Sequence, residues 1–334
     1  MLVIRPAGPD DYNALMELAV LSGPGFTSLP EDEATLRERL EVSQKSFQGE
    51  LADQEGRYTL MLEDTETGEI DGLSAVKAAV GLHRPFLSFR VVQLAQYSPS
   101  LNLRFDHNAL VLVNECTGWS EVGSLFLKAH KRKGGAGRLL AQSRYLLIGA
   151  APERFSDMVL AELRGWLDEN DVSPFWEHVA HKFFRMSFID ADRLSGSTDG
   201  QFMLDLAPRH AIYTELLHED ARRVIGECHP HGQAALALLE SEGFRKTGLV
   251  DVFDAGPTVA CRRDDLRTIR DSVVRKVRIS PTVDATPKLV AVNDLGRFRA
   301  TRAPVELDME HADMSADVAD LLQVKNNDWV RIKA

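Results

Sequence analysis

Residues 121–140, EVGSLFLKAHKRKGGAGRLL, predict a strand, a glycine-rich turn and the start of a helix. Within them, Arg132, Gly135 and Gly137 have the spacing R-x-x-G-x-G. Small residues at such a turn let backbone N–H groups approach a phosphate, and the positive end of the following helix favours its charge. The stretch is therefore a candidate pyrophosphate cradle, although the glycine spacing alone fits an ordinary turn equally well.

Two better-known glycine motifs fit this stretch less well. A dinucleotide-binding fingerprint needs a third glycine where Leu140 stands, and a Walker loop needs G-K-[ST], which the stretch lacks. The basic residue before the glycines instead resembles the coenzyme A loop of the GNAT acyltransferase superfamily. In that superfamily the strand before the loop, here residues 124–127, splays from its neighbour and pairs its backbone with the pantetheine arm. The resemblance makes the loop residues coenzyme-binding candidates, together with Leu125 and Leu127.

The order of the predicted elements points to the same superfamily. Antiparallel strands are predicted before the loop, and a helix at 138–150 after it. A strand at 157–164 follows, and then a helix opened by Ser173 and Pro174. We therefore predict an α/β (α+β) fold, in which a GNAT-like mixed sheet is flanked by helices.

The rest of the chain suggests a duplication and a small appended unit. A helix that ends at Gly243 is followed by a strand at 244–253, which resembles the closing half of an acyltransferase domain, but no second R-x-x-G-x-G loop accompanies it. A linker-like stretch at 280–287 precedes a β-rich tail. We predict three units: a GNAT-like acyl-CoA-binding domain at 1–195, a second, partial GNAT-like half at 196–279, and a small β-rich accessory unit at 288–334.

The composition restricts the partners that we expect. The 334 residues include 39 Lys and Arg and 50 Asp and Glu, and the resulting net charge of −11 disfavours binding to nucleic acid. The sequence contains neither a signal-peptide pattern nor an apolar run of the roughly 18 residues that a membrane span requires. The cysteines Cys116, Cys228 and Cys261 are too few and too scattered for a disulfide framework or a zinc cluster. We expect a cytoplasmic protein without a membrane or nucleic-acid partner.

In greater detail, the chain resembles the bacterial arginine N-succinyltransferases over nearly its whole length. Several segments carry this resemblance in order along the chain: IRPAGPDD, GFTSLPEDEATL, LEDTETGEIDG, MVLAELRG, DENDVSPFWEHVAHKFF, HPHGQAALALLESEGF and DVFDAGPT, in addition to the loop. The resemblance implies a reaction in which succinyl-CoA and L-arginine give N2-succinylarginine and free coenzyme A. Succinyl-CoA would be a co-substrate, and no prosthetic group is implied.

The resemblance also implies roles for two residues. It assigns succinyl-CoA binding to Leu125 and proton donation to His229, which precedes Pro230. Imidazole titrates near pH 6.5, so a histidine exchanges protons at working pH and typically contributes about 10²- to 10⁴-fold to a rate. Without the resemblance, a helix cap or a buried contact would be the better explanation of this histidine.

Two other chemistries are disfavoured by the sequence. Cys228 lies next to His229, but neighbouring residues at a turn usually point apart, so a Cys–His nucleophile is not expected. His178 and His181 have helical spacing that could share a metal ion, yet no carboxylate or cysteine nearby completes a ligand set. We therefore predict no metal site.

Recognition of the acceptor has weaker signals. Glu162 and Arg164 alternate on one predicted strand and share a face, so they could hold the guanidinium and the carboxylate of a substrate. A structural salt bridge explains this pair equally well. Thr27 and Ser28 could line the succinyl pocket, but Ser28 and Glu31 also have capping-box spacing at a helix start.

Three functions remain open from the sequence. The chain could be an arginine succinyltransferase that acts alone as a homo-oligomer. It could also be one subunit of a hetero-oligomer, with a related subunit, that takes ornithine as well. The third alternative is a non-catalytic GNAT-like module that binds acyl-CoA.

Overall fold

A computed structural model describes residues 1–23, 28–170, 172–197 and 200–333, so Thr27 lies outside the described residues. The strands are β1 Leu2–Pro6, β2 Arg57–Asp64, β3 Glu69–Lys77, β4 Ser88–Ser98, β5 Leu103–Val113, β6 Ser120–Leu127, β7 Met158–Glu162, β8 Ile212–Tyr213, β9 Arg245–Asp251, β10 Pro257–Arg262, β11 Ser272–Ile279, β12 Pro287–Val292, β13 Ala300–Pro304, β14 Glu306–Leu307, β15 His311–Met314 and β16 Trp329–Lys333. The helices are α1 Tyr12–Ser22, α2 Glu33–Gln48, α3 Ala136–Ala150, α4 His181–Phe184, α5 Phe188–Ser197, α6 Gln201–Leu206, α7 Glu219–Val224, α8 Gln233–Glu242, α9 Arg267–Arg270 and α10 Ala316–Leu322.

The strands form one continuous mixed sheet in the order β14-β15-β11-β16-β12-β13-β1-β2-β3-β6-β7-β10-β9-β4-β5-β8. The pairs β6–β7 and β11–β15 are parallel, and the other strand pairs in the described part of the chain are antiparallel. Helices cover both faces of the central strands. The prediction of an α/β (α+β) fold with a mixed sheet flanked by helices is confirmed.

Alternating residues of the central strands divide the core into two layers. Leu60, Leu62 and Val122 belong to the apolar cluster that includes the α3 residues Leu139 and Leu146. Met61 and Leu73 instead belong to the cluster of α1 and α2 on the opposite face. Successive strand residues point to opposite faces, so the sheet has an α3 face and an α2 face.

The start of α2 differs from the prediction. The helix begins at Glu33, and its N-cap is Asp32, whose side chain accepts a hydrogen bond from the Thr35 N–H at 2.9 Å. The capping box expected from Ser28 and Glu31 is therefore wrong. Aspartate caps as well as serine, so the short polar run before the helix contained two competing start points.

The sheet order shows where the strands of the expected second half pair, and the duplication itself remains a prediction. Strand β10, which was predicted to belong to a second half at 196–279, pairs with β7, and β9 pairs with β10, so both strands continue the sheet of the first unit. The helices α4 to α7 lie between β7 and α8 and have their own apolar cluster around Trp176. The helix-to-strand resemblance therefore reflects the closing elements of one sheet.

The C-terminal part is β-rich, as predicted. Strands β11 to β16 enclose an apolar cluster with α10, and β13 pairs with β1, so this part continues the central sheet. The boundaries at 195, 279 and 288 remain predictions. No helix in the described ranges is long and apolar enough to cross a bilayer.

Candidate active site

The strands β6 and β7 separate soon after they begin. Their parallel pairing joins Ser120 to Val159 and Glu121 to Leu160. On the other edge of β6 a β-bulge interrupts the pairing with β3, and Ser124 has a positive φ of 49°. Beyond Glu121, the edge of β6 that faces β7 is therefore open to an extended ligand, as strand-like pantetheine binding requires.

After the bulge, the predicted coenzyme-binding residues of β6 lie on the α3 face of the sheet. Leu127 lies in the apolar cluster under α3, and Leu125 packs against that cluster. A Cβ built on Gly137 would lie 3.8 Å from Leu127 Cδ2. The structure thus brings Leu125, Leu127 and Gly137 together on the α3 face.

The loop before α3 has the backbone of an anion cradle. Gly134 and Gly135 have φ values of 81° and 86°, which favour glycine, and Gly135 is the N-cap of α3 without a side-chain cap. The first N–H groups of a helix have no partner within the helix. Together with the helix dipole, they make this end of α3 suitable for pyrophosphate.

Arg132 is exposed and folds back on its own loop. Its Nε donates a hydrogen bond to the Leu127 carbonyl at 3.1 Å. The neighbouring Lys131 forms ion pairs with Asp64 at 2.8 Å and Asp71 at 3.1 Å. Arg132 therefore fixes the turn through one nitrogen, and its remaining donors are near the start of α3.

The catalytic and acceptor-binding candidates lie on the α2 face. Val159, Ala161 and Leu163 of the β7 segment belong to the α3-face cluster. The alternating residues Glu162 and Arg164 must therefore face the other side. The structure places them at the carboxyl end of β7, where β6 has already diverged.

His229 is attached to the same segment. Cys228 pairs with Gly165 in an antiparallel bridge, and the His229 N–H donates to the Arg164 carbonyl at 2.9 Å. The buried Cys228 side chain lies in the α3-face cluster, so the next residue, His229, points to the face of Arg164 and Glu162. The sequence predicts Glu162 and Arg164 as a pair and His229 independently, and the fold brings the three residues together.

The imidazole of His229 has a defined orientation. Its Nδ1 accepts a hydrogen bond from the His231 N–H at 3.1 Å, and the side chain is 8% exposed. Because Nδ1 accepts, the neutral ring carries its proton on Nε2. His229 also caps the turn Pro230–Gly232 that leads into α8. The same side chain therefore acts as the cap considered in the sequence analysis and lies in the candidate site.

Acidic groups that the sequence reasoning missed surround Glu162. Desolvation, followed by the charges of Asp251 and Glu121, raises the pKa of Glu162 well above its usual range. Desolvation and Asp251 likewise raise the pKa of Asp254 to about 7, against hydrogen bonds from the N–H groups of Gly165 and Gly256. The end of β7 is thus a place where carboxyl groups hold protons unusually tightly.

The alternative of a Cys–His nucleophile fits the structure poorly. Burial raises the pKa of the Cys228 thiol to about 11, so the thiolate is scarce at neutral pH. The thiol contacts the His229 backbone carbonyl at 3.5 Å, whereas the imidazole Nδ1 accepts a hydrogen bond from the His231 N–H. The structure therefore disfavours Cys228 as a nucleophile.

A histidine cluster lies outside this site. His178 stacks on His218, with ring centroids 4.1 Å apart, and His218 Nδ1 lies 3.3 Å from Asp220 Oδ2. One ligand atom from each residue lies within 4.8 Å of the others, so this set could hold a metal ion. The partners of His178 in this set are His218, the N-cap of α7, and Asp220 in α7. The sequence neighbour His181 is not part of the set.

A cavity of about 630 Å³ adjoins the end of the β7 segment. Trp166 and Glu227 line this cavity. Trp166 follows Gly165 and Glu227 precedes Cys228, the two residues that form the bridge. Its other acidic lining groups are Asp168, Glu177 and Asp220, and Arg223 is its basic one. The negative lining suits a cationic ligand.

Arg39 is a further residue that the sequence reasoning missed. It projects from α2 to the bulge of β6, where its Nη2 donates to Ser124 Oγ at 2.9 Å. Arg39 lies three residues after Leu36 and one residue before Leu40, and both leucines are buried. This spacing places Arg39 beside the apolar stripe of α2 that faces the core. An arginine beside the buried stripe of an amphipathic helix could have been recognised from the sequence as a candidate buried charge.

Two family models match the chain. A model described as arginine N-succinyltransferase beta subunit matches residues 2–268. A model described as the C-terminal domain of that subunit matches residues 273–334.

Similar proteins match over the full length. The arginine N-succinyltransferases of Citrobacter koseri and of Escherichia coli strain 55989 are each 42% identical to this chain, with 99% of this chain and 97% of the relative covered. The solved structure of arginine/ornithine succinyltransferase subunit AI from Pseudomonas aeruginosa superposes with a TM-score of 0.90 at 34% identity, covering 100% of this chain and 98% of that one.

Proposed function

Because the chain belongs to the arginine N-succinyltransferase family, we propose that it transfers the succinyl group of succinyl-CoA to the α-amino group of L-arginine. The observation that carries this proposal is the full-length family match combined with an open β6 edge that ends in an anion cradle. Succinyl-CoA is the co-substrate in this proposal, and no prosthetic group takes part. The three buried, unbridged cysteines are compatible with a reducing cytoplasm.

The coenzyme binds across the opening of the sheet. The open edge of β6 around Leu125 and Leu127 hydrogen-bonds to the amide groups of the pantetheine arm. Its pyrophosphate binds the N–H groups at the start of α3, where Gly135, Gly137 and Arg132 lie. This position directs the thioester into the gap between β6 and β7, next to Glu162 and His229.

The acceptor binds on the α2 face. Arg164 pairs with the α-carboxylate of L-arginine, and Glu162 contacts the α-amino group. The raised pKa of Glu162 suits it to accept a proton from the α-ammonium group. The neutral amine then attacks the thioester carbonyl.

His229 serves the departing coenzyme. A neutral imidazole with Nε2–H donates a hydrogen bond to the negative charge that develops on the thioester oxygen or sulfur. Full proton transfer to the thiolate requires the imidazolium form, which means that Nδ1 must release the His231 N–H. Collapse of the tetrahedral intermediate breaks the C–S bond. The proton that the attacking nitrogen loses passes to the thiolate, so the products are an amide and free coenzyme A.

The function is tested by thiol release. Purified chain with succinyl-CoA should release free thiol when L-arginine is added, and the product should contain a succinylated α-amine by mass spectrometry. We expect His229→Ala to lower kcat by about 10²- to 10⁴-fold, while His83→Ala, whose side chain is 70% exposed, should leave it unchanged. Absence of release with every amino acid tested would leave only the acyl-CoA-binding module.

Ornithine is the second acceptor to test, because the similar Pseudomonas aeruginosa chain is a subunit of an arginine/ornithine succinyltransferase. That chain also motivates the hetero-oligomer alternative to a homo-oligomer. Light scattering of the purified chain at assay concentration gives its oligomeric state. Activity of this chain alone would show that a second subunit is not required.

A further inference from the structure

Arg39 is held by uncharged groups at the mouth of the proposed site. Nε donates to Thr59 Oγ1 at 3.2 Å, Nη2 donates to Ser124 Oγ at 2.9 Å, and Nη1 donates to the Ser28 carbonyl. A guanidinium has five N–H groups. The hydrogen bonds to these described residues use three of the five N–H groups. They hold the side chain in place and leave other N–H groups to bind a ligand.

The charge of Arg39 is not neutralised by a contact within the described part of the chain. No carboxylate there forms an ion pair with it, and the carboxylate that acts on it through charge, Glu121, is itself paired with Lys77 at 2.7 Å. Burial lowers the pKa of Arg39 to about 10, so the side chain still carries its charge at neutral pH. Burying a charge without a counter-charge is unfavourable. A buried cation without an acidic partner is what we expect in a site that receives an anion.

Two lysines that follow β6 have acidic partners. Lys128 contacts Glu17 at 2.7 Å, and Lys131 contacts Asp64 at 2.8 Å. Arg39 therefore stands apart from them by location, at the bulge, and by the absence of an acidic partner among the described residues. Its acidic partner is best sought in the ligand.

We propose that Arg39 binds the distal carboxylate of the succinyl group and thereby selects acyl thioesters that end in a carboxylate. This inference rests on the proposed function. Ser124, which Arg39 contacts, is adjacent to Leu125, and neighbouring Cα atoms are about 3.8 Å apart. The distal carboxylate of a succinyl group lies about 4 Å from its thioester carbon, since three C–C bonds of about 1.5 Å separate them. A thioester held at Leu125 can therefore place this carboxylate within reach of the guanidinium.

The test compares two acyl groups of equal length. Butyryl-CoA has a methyl group where succinyl-CoA has its distal carboxylate. Calorimetric titration without acceptor should show tighter binding of succinyl-CoA than of butyryl-CoA to the unaltered chain. Arg39→Met should weaken succinyl-CoA binding by about 100-fold and leave butyryl-CoA binding within a few-fold. Arg39→Lys, which keeps the charge but loses the planar fork, should give an intermediate ratio.

Controls separate selection from structural support. Arg37→Met on the same helix removes an exposed arginine that pairs with Glu33 at 2.8 Å, and it should change neither affinity. Equal weakening of both ligands by Arg39→Met and Arg39→Lys, or no weakening of either, would overturn the proposal. If the unaltered chain prefers succinyl-CoA in binding but never acylates arginine, the selection by Arg39 stands and the proposed reaction fails.

Discussion

The three glycines of the coenzyme loop have different structural needs. Gly134 and Gly135 adopt positive φ values of 81° and 86°, where a side chain strains the backbone. Gly137 lies inside the first turn of α3, and a Cβ there would make an ordinary 3.8 Å contact with Leu127. The folded protein has room for alanine at 137, so a requirement for glycine there has to come from a ligand.

Substitution of Gly137 tests the cradle. Gly137→Ala should keep or raise the melting temperature, because alanine favours helix over glycine by about 1 kcal/mol. If the pyrophosphate lies against this turn, the same change should weaken coenzyme A binding by about tenfold in calorimetry, since one displaced contact is worth on the order of 1.4 kcal/mol. Gly8→Ala, with a similar 3.8 Å contact away from the site, is the control. Unchanged affinity would place the pyrophosphate elsewhere.

Glu162 is the residue whose protonation should limit the reaction. With a pKa raised well above its usual range, the carboxyl group loses its proton only as the pH rises, and kcat/KM should rise with it. Glu162→Gln should lower kcat by about 10²-fold or more and remove this part of the pH profile. Glu153→Gln, at an exposed turn, should change neither. A profile of unchanged shape in Glu162→Gln would assign the proton acceptor to another group.

At the scale of elements, the end of β7 is positioned by a close backbone crossing. The segment after β7 lies against the loop between β9 and β10, and a Cβ on Gly256 would lie 2.0 Å from the Leu163 carbonyl oxygen. On the other side, Gly165 bridges to Cys228, which brings His229 to Arg164. Three separate stretches of chain therefore determine where the proposed acceptor-binding residues lie.

This crossing makes a stability prediction. Gly256→Ala should destabilise the protein by about 3–5 kcal/mol, because the clash is with backbone that must move. Chemical denaturation monitored by circular dichroism measures this change, with Gly8→Ala as the near-neutral comparison. A loss below about 1 kcal/mol would show that the two segments separate without cost.

At the scale of the molecule, the buried carboxyl groups predict a pH dependence of stability. The pKa of Asp254 is raised to about 7 in the folded state, whereas the unfolded chain loses this proton near pH 4. Between these values the folded state binds more protons, so this group's contribution is full below about pH 4 and is lost as the pH rises towards 7. The buried Asp251 shifts in the same direction.

The predicted change is measurable by urea unfolding at several pH values. The free energy of unfolding should fall by a few kcal/mol, on the order of the shift at Asp254, between pH 5 and pH 8. Asp254→Asn should be less stable at pH 5, because it loses one of two acceptors for backbone N–H groups, but its stability should depend less on pH. An equally steep dependence in the variant would assign the effect to other carboxyl groups.

Local patterns accounted for much of the fold. The glycine loop, the following helix and the order of strands around them were predicted, because hydrophobic period and turn chemistry act over a few residues. Ser173 precedes the helical segment at 174–180 and caps it as expected, with its Oγ accepting a hydrogen bond from the Trp176 N–H at 3.1 Å. The start of α2 was misplaced because Asp32 competes with Ser28 for the cap. The pairing of β9 and β10 was not predicted, because it depends on sheet order, which local patterns do not contain.

The sequence by itself determined the glycine loop, the mixed fold and the family, since these depend on short-range patterns and on matched segments along the chain. Only the tertiary structure decided which residues share the site. It joined His229 to Arg164 across 65 positions of sequence, set Glu162 among acidic neighbours that raise its pKa, and placed Arg39 of α2 at the bulge of β6. Such contacts depend on strand pairing and burial, and these exist only once distant segments have packed together.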